Sequence, residues 1–208
     1  MLENSTQEEI SLINKKTTNP ELLTHPNIPK PLHGTAPRTI LGKCWWDEKR
    51  HQAYRESNYH CIACGQHKSQ DRFHNWLEAH EDYDIDYKTG KVKLNRIVAL
   101  CHSCHNFIHS GRLGAMYSKG EITEDKALYI LKRGFHILKS NNLKPFWGAA
   151  DVFAEITKRY DLDERIMQLK INQHVDAQKD WSKWHIEIDG ECYYGKFKSI
   201  NEWLNSYG

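Results

Sequence analysis

The sequence predicts an α+β protein in which a hairpin and a helix, stapled by a metal ion, carry flanking helices and a small C-terminal ββα unit. Three observations predict it. Two identical Cys-x-x-Cys knuckles, Cys61/Cys64 and Cys101/Cys104, are separated by 36 residues (65–100), which leaves room for a strand hairpin between them. Strand-like stretches at Trp76–His80 and Val92–Leu100 flank a turn at Lys88-Thr89-Gly90. Ala127, Leu128, Leu131, Phe135 and Leu138 recur at helical spacing.

Composition narrows the class. Across 208 residues, 29 Lys and Arg face 27 Asp and Glu, a formal charge of +2, which excludes a heavily basic coat for nucleic acid. A mean hydropathy of −0.76 and 27% charged residues exclude a membrane protein. Met1 to Ile10 carry acids and no basic stretch ahead of an apolar run, so no secretory signal is read and a cytoplasmic protein is expected, in a host cytoplasm if virus-encoded. With 39% apolar residues the chain can bury a real core. Six Cys without an export signal point to metal before disulfides.

The elements follow in order. Residues 1–40 hold five of the six prolines (Pro20, Pro26, Pro29, Pro31 and Pro37) and read as an extended arm packed on the core. Residues 41–116 are densest in Cys, His and Trp. Here a helix is expected from Trp45 to Tyr59, its apolar stripe made by Trp46, Ala53 and Tyr54. The first knuckle, the hairpin and a helix starting at the second knuckle come next, with Gly111 as its stop. In residues 117–170, Thr123 caps a helix with Glu124 and Asp125 in its first turn, Pro145 breaks the pattern, and Ala149–Tyr160 forms another helix. Residues 171–208 give a strand at Trp184–Ile188, a turn at Asp189-Gly190, a return strand from Tyr193 and a helix capped by Ser199.

The two-residue gap lets both thiolates of a knuckle reach one ion. Cys61, Cys64, Cys101 and Cys104 therefore read as a closed, tetrahedral, structural zinc site with no position left for substrate. Cys44 and Cys192 lack partners at ligand spacing and are expected to be buried thiols. His105 and His109 stand four apart on the helix after the second knuckle, and so share a face. His80 ends the first strand, with Glu78 on its side and Leu77 and Ala79 on the other. Three imidazoles leave positions open on an ion, the pattern of a catalytic site. His60, His67, His74, His102 and His136 show no such spacing; His67 and His102 are reserve ligands.

Cys61-x-x-Cys64, Leu77-Glu78-Ala79-His80-Glu81 and Ile97-Val98-Ala99-Leu100-Cys101-His102-Ser103-Cys104-His105-x-x-x-His109 together resemble the zinc-knuckle branch of the HNH endonucleases, over about residues 45–112. The resemblance implies a ββα-metal (His-Me) finger that hydrolyses DNA phosphodiester bonds with one divalent ion, Mg2+, Mn2+ or Ni2+. It implies His80 as an ion ligand at the strand end and His105 and His109 as ligands or leaving-group stabilisers on the helix. Two positions depart from the family. Its general-base His is here Glu81, which either adds a ligand or takes the water's proton itself. Its middle Asn falls on Arg96; Asn95, one step off, takes that place only if a bulge intervenes.

The predicted function is a metal-dependent HNH-type endonuclease or nickase acting on DNA, expected to be double-stranded, with Lys91, Lys93, Arg96 and Arg112 as the basic residues for binding. Lys88, Lys119, Lys132 and Arg133 add to these, and a homo-oligomer is compatible with the sequence. The alternative is a catalytically inactive, zinc-stabilised nucleic-acid- or protein-binding module. Convergence of His80, His105 and His109 discriminates the two, since a pure binding module has no need of it.

Overall fold

The hairpin between the knuckles organises the fold. In the computed structural model, which describes residues 18–26, 28–143 and 180–207, β1 (Glu78–Asp86) and β2 (Lys91–Leu100) pair antiparallel. Their turn is closed by Asp86, whose carboxylate accepts the N–H of Lys88 at 2.9 Å and the hydroxyl of Thr89 at 2.8 Å. Gly90 is required there twice over. Its φ is +76°, and a Cβ would stand 3.2 Å from the Lys183 carbonyl carbon. The close approach exists because β3 (His185–Ile188) adds to β2 in parallel, beginning with His185 N–H to Gly90 O at 3.0 Å. β4 (Glu191–Tyr194) returns antiparallel to β3, giving one four-stranded sheet in the order β1-β2-β3-β4.

A bulge interrupts the hairpin. Asp82 lies opposite Arg96 and Tyr83 opposite Leu94, so Asn95 is the extra residue of β2.

Five helices are described. α1 (Pro37–Glu56) is bent at Gly42, whose φ of +83° and ψ of 174° are not helical. Pro37 starts the first piece eight residues before the expected Trp45, because a Pro at the first helical position costs no hydrogen bond. α2 (His102–Ile108) starts at the second knuckle, with Cys101 as its N-cap. It does not run on to Gly111: the chain leaves helical geometry at His109 (φ −84°, ψ 50°) and Gly111 falls inside the next helix, α3 (Ser110–Ser118). α4 (Glu124–Ser140) has the expected cap, Thr123 Oγ1 accepting the Lys126 N–H at 3.3 Å. α5 is Ile200–Tyr207. The expected helix at Ala149–Tyr160 and the break at Pro145 lie outside the described residues. No helix among the described residues is long and apolar enough to cross a membrane.

Ahead of α1, where extended chain was expected, the described residues form two 3-10 turns, Pro20–Thr24 and Lys30–Leu32, each with a Pro at its start. Leu22 and Leu23 from the first turn enter one core with Val98, Leu100, Phe107, Leu113, Leu131 and Leu138. In that core Phe107 of α2 meets Phe135 of α4 edge to face at 5.4 Å. Leu32 from the second turn enters another core with Val92, Trp184, Ile186 and Ile188. Cys44 and Cys192, expected to be buried, are both exposed. Cys44 sits on the outer side of α1, and Cys192 on the edge strand β4, whose pattern is largely exposed.

Trp184, 2% exposed, joins β3 to the turn and the second core. Trp184→Ala is expected to lower stability by about 3–5 kcal/mol through the cavity it leaves, with the denaturant slope unchanged in urea unfolding.

Candidate metal centres and the adjoining cleft

The four knuckle sulfurs meet where β2 ends and α2 begins. The first knuckle turns on itself through Cys61 N–H to Gln66 O (2.8 Å) and Gly65 N–H to Cys61 O (2.7 Å). Cys101 precedes α2 and Cys104 sits in its first turn. All four sulfurs lie within 4.8 Å of one another. Cys64 Sγ and Cys101 Sγ are 3.8 Å apart, the spacing that two sulfurs about 2.3 Å from one ion take at tetrahedral angles. The sulfurs of Cys101, then Cys104 and Cys61, hold the Cys64 thiol well below its ordinary value, toward thiolate. Cys101, then Cys61 and Cys64, push the Cys104 thiol up. Arg133 of α4 donates to Cys64 Sγ at 3.4 Å and to the Gln66 side chain. It is turned inward, not held out with the surface lysines. The group could hold a metal such as zinc.

His67, a reserve ligand in the sequence, instead caps the 3-10 turn Lys68–Gln70 by accepting the Ser69 N–H.

A second group lies at the other end of α2. His80 comes from β1, His105 from α2 and His109 from the α2–α3 junction. One ring nitrogen from each falls within 4.8 Å of the others. His80 Nδ1 and His109 Nε2 are 3.1 Å apart. Two ligands at about 2.0–2.1 Å from one ion stand about 2.9–3.4 Å apart at octahedral or tetrahedral angles. His80 is only 4% exposed, and its Nε2 is buried without a partner. Burial, then the nearby His109 and His105, pushes its pKa well below the ordinary value. Burial, then His105 and Arg112, pushes His109 down to about 3. Both rings are therefore neutral at pH 7, the form that binds metal.

Glu78, which the sequence placed beside His80 without a role, braces this group. Its Oε2 is 2.5 Å from His105 Nδ1 and its Oε1 is 2.6 Å from His102 Nδ1. Burial alone would raise the Glu78 carboxyl; the two histidines outweigh it and hold the group well below the usual carboxylate range. With Nδ1 engaged, His105 presents Nε2 to the group.

His80 and His109 open on a cleft of about 630 Å³, lined also by His25, Lys30, His33, Glu81, Tyr83 and Arg112 among others. Glu81 follows His80 on β1, and burial pushes its carboxyl up. Of the basic residues singled out in the sequence, Arg112 lines the cleft. Arg96 Nε donates to Asp82 at 3.0 Å, and Lys91 pairs with Glu187 of β3 at 2.5 Å. Lys93 is exposed.

His25 is a cleft residue that the sequence did not single out. Its Nε2 lies 3.4 Å from Asp82 Oδ1, and its ring is edge-on to His80 at 5.7 Å. A single His between prolines carries no periodic signal; Leu22 and Leu23, packed in the core, deliver it.

Comparisons with protein-family models, with curated proteins and with solved structures find no match.

Two outcomes follow from the bracing contacts. Arg133→Met should leave the fold intact but weaken zinc retention about 10–100-fold against a chelator, because it strips the hydrogen bond from Cys64. Glu78→Gln should weaken binding of Ni2+ by the histidine group by a similar 10–100-fold in calorimetry, with the zinc of the cysteine group retained.

Proposed function

We propose that this chain is a metal-dependent endonuclease or nickase of the HNH type. In this reading Cys61, Cys64, Cys101 and Cys104 hold a structural zinc, and β1, β2 and α2 form a ββα-metal finger that hydrolyses DNA phosphodiester bonds. The observation that carries it is the convergence of His80, His105 and His109, two of which, His80 and His109, line the cleft that also presents Glu81 and Arg112. The bulge supports it as well. With Asn95 as the extra residue of β2, the condition is met under which Asn95 could stand in for the family's middle asparagine.

A divalent ion held by the three imidazoles would supply a Lewis acid beside the scissile phosphate. Imidazole-rich sets favour Ni2+ over Mn2+ or Mg2+. Glu78 keeps His105 in the tautomer that ligates. Glu81 accepts the proton of the attacking water; a carboxylate whose burial raises its proton affinity is a better base at neutral pH than a solvated one. Arg112 and Lys30, on the same cleft, bind the phosphate and offset the charge that grows on it.

Purified protein incubated with supercoiled plasmid and Mg2+, Mn2+ or Ni2+ should yield nicked or linear DNA, and His80→Ala should abolish it. Glu81→Gln should slow cleavage about 10²-fold with zinc content and melting unchanged. Cleavage of single-stranded RNA but not plasmid would move the substrate to RNA. Absence of cleavage with every ion would favour the inert zinc-stabilised binding module.

A further inference from the structure

Outside the triad, a third group of ligating side chains stands on the far side of Glu78. His74, Glu78 and His102 each offer one ligand atom, and the three lie within 4.8 Å of one another. We propose that they form a separate site for a divalent ion of borderline softness, Zn2+, Ni2+ or Co2+, distinct from both the cysteine group and the triad.

The surroundings are those of a held site. Asp71 fixes the loop by accepting the N–H groups of Phe73 at 2.8 Å and His74 at 3.1 Å. Leu77 anchors the chain just beyond it in the interior. The His74 ring is stacked on Trp76 at 4.1 Å with 13° between planes, and stands edge-on to His102 at 4.3 Å. His102 is fixed from the other side by the edge of Phe73 at 5.5 Å and by Asn106. Its imidazole is buried, whereas His74 is partly exposed and Trp76 is 53% exposed, so an ion enters from solvent on the His74 side. Three ligands about 2.0–2.2 Å from an ion stand about 3–3.5 Å apart. Closing the group asks for the outer His74 ring to move in and for the 2.6 Å contact between Glu78 and His102 to open to about 3 Å. Two imidazoles and one carboxylate suit Zn2+, Ni2+ and Co2+ better than Mg2+ or Ca2+, and leave positions open to water. Glu78 serves both groups without conflict, since Oε1 faces His102 while Oε2 faces His105.

The packing of His74, Trp76, His102 and Phe73 as plain aromatic contacts is the competing account, and ion counting separates the two. Full-length protein with zinc in the cysteine group is titrated with Co2+ alone, following bound metal by elemental analysis and tryptophan emission by fluorescence. His74→Ala is expected to bind one Co2+ fewer than the wild type, and His74→Gln, which keeps more of the packing, should do the same. The paramagnetic ion should quench Trp76, so the Co2+-dependent loss of emission should shrink in both Trp76→Phe and His74→Ala. His80→Ala reports the triad alone: if it loses one Co2+ and His74→Ala loses another, both groups bind ions. If His80→Ala loses none while His74→Ala loses one, the triad reading fails and this one stands. Equal Co2+ uptake by wild type, His74→Ala and His74→Gln overturns the proposal and leaves an aromatic cluster.

Discussion

The structure hangs on the place where β2 stops and α2 starts. Leu100 is the last residue of β2, Cys101 the cap of α2 and Cys104 lies in its first turn. A helix of seven residues is too short to persist by propensity, so its direction must come from outside. The sulfur group supplies one end, and Phe107 packed on Phe135 supplies the other. Fixing the start of α2 also fixes the azimuth of His105, one residue past Cys104, and of His109, one turn on. The hairpin register, Glu78 opposite Leu100 and His80 opposite Val98, then sets how far His80 stands from them. One junction thus determines both the tetracysteine group and the meeting of three histidines.

What the sequence made legible is whatever repeats at short range or binds in pairs. The knuckles, the hairpin between them and the i, i+4 pair of histidines are of this kind, and so is the capped helix behind Thr123. Asn95 is a subtler case: the sequence supplied the condition, a bulge, and the bulge stands at that residue. What escaped depends on contacts far apart in sequence. His25 reaches the cleft only because Leu22 and Leu23 are packed in a core formed by other elements. Glu78 read as a polar residue on an alternating strand, yet its face is covered by α2 and its two oxygens contact two histidines. Gly111 read as a helix stop, but the break falls two residues earlier at His109 and the chain resumes as helix at once.

Electrostatics here is local. A net charge of +2 says little about the cleft, where Lys30, Arg112 and His33 stand against Glu81. Two lysine or arginine positions that looked free on the hairpin are spoken for: Arg96 by Asp82 and Lys91 by Glu187. Asp82 in turn holds His25 on the other side. On β1, Glu78 braces two imidazoles, and Asp82 holds both an imidazole and a cation of the hairpin. Of the four basic residues singled out for a polyanion, Arg112 lies on the cleft and Lys93 is exposed on β2.

The parallel pairing of β2 with β3 carries a consequence for how the chain reaches this state. Lys91 pairs with His185 and Val92 with Ile186, partners separated by most of the intervening sequence. Closing so long a loop is entropically slow, and strand additions of this kind raise contact order. The tetracysteine junction closes a much shorter loop and has no need of β3. During synthesis, therefore, the knuckles and hairpin can assemble while Val92 still shows an uncovered apolar edge to the ribosome's surroundings. That edge stays a target for chaperones, or for a neighbouring chain's strand, until Trp184 and Ile186 arrive.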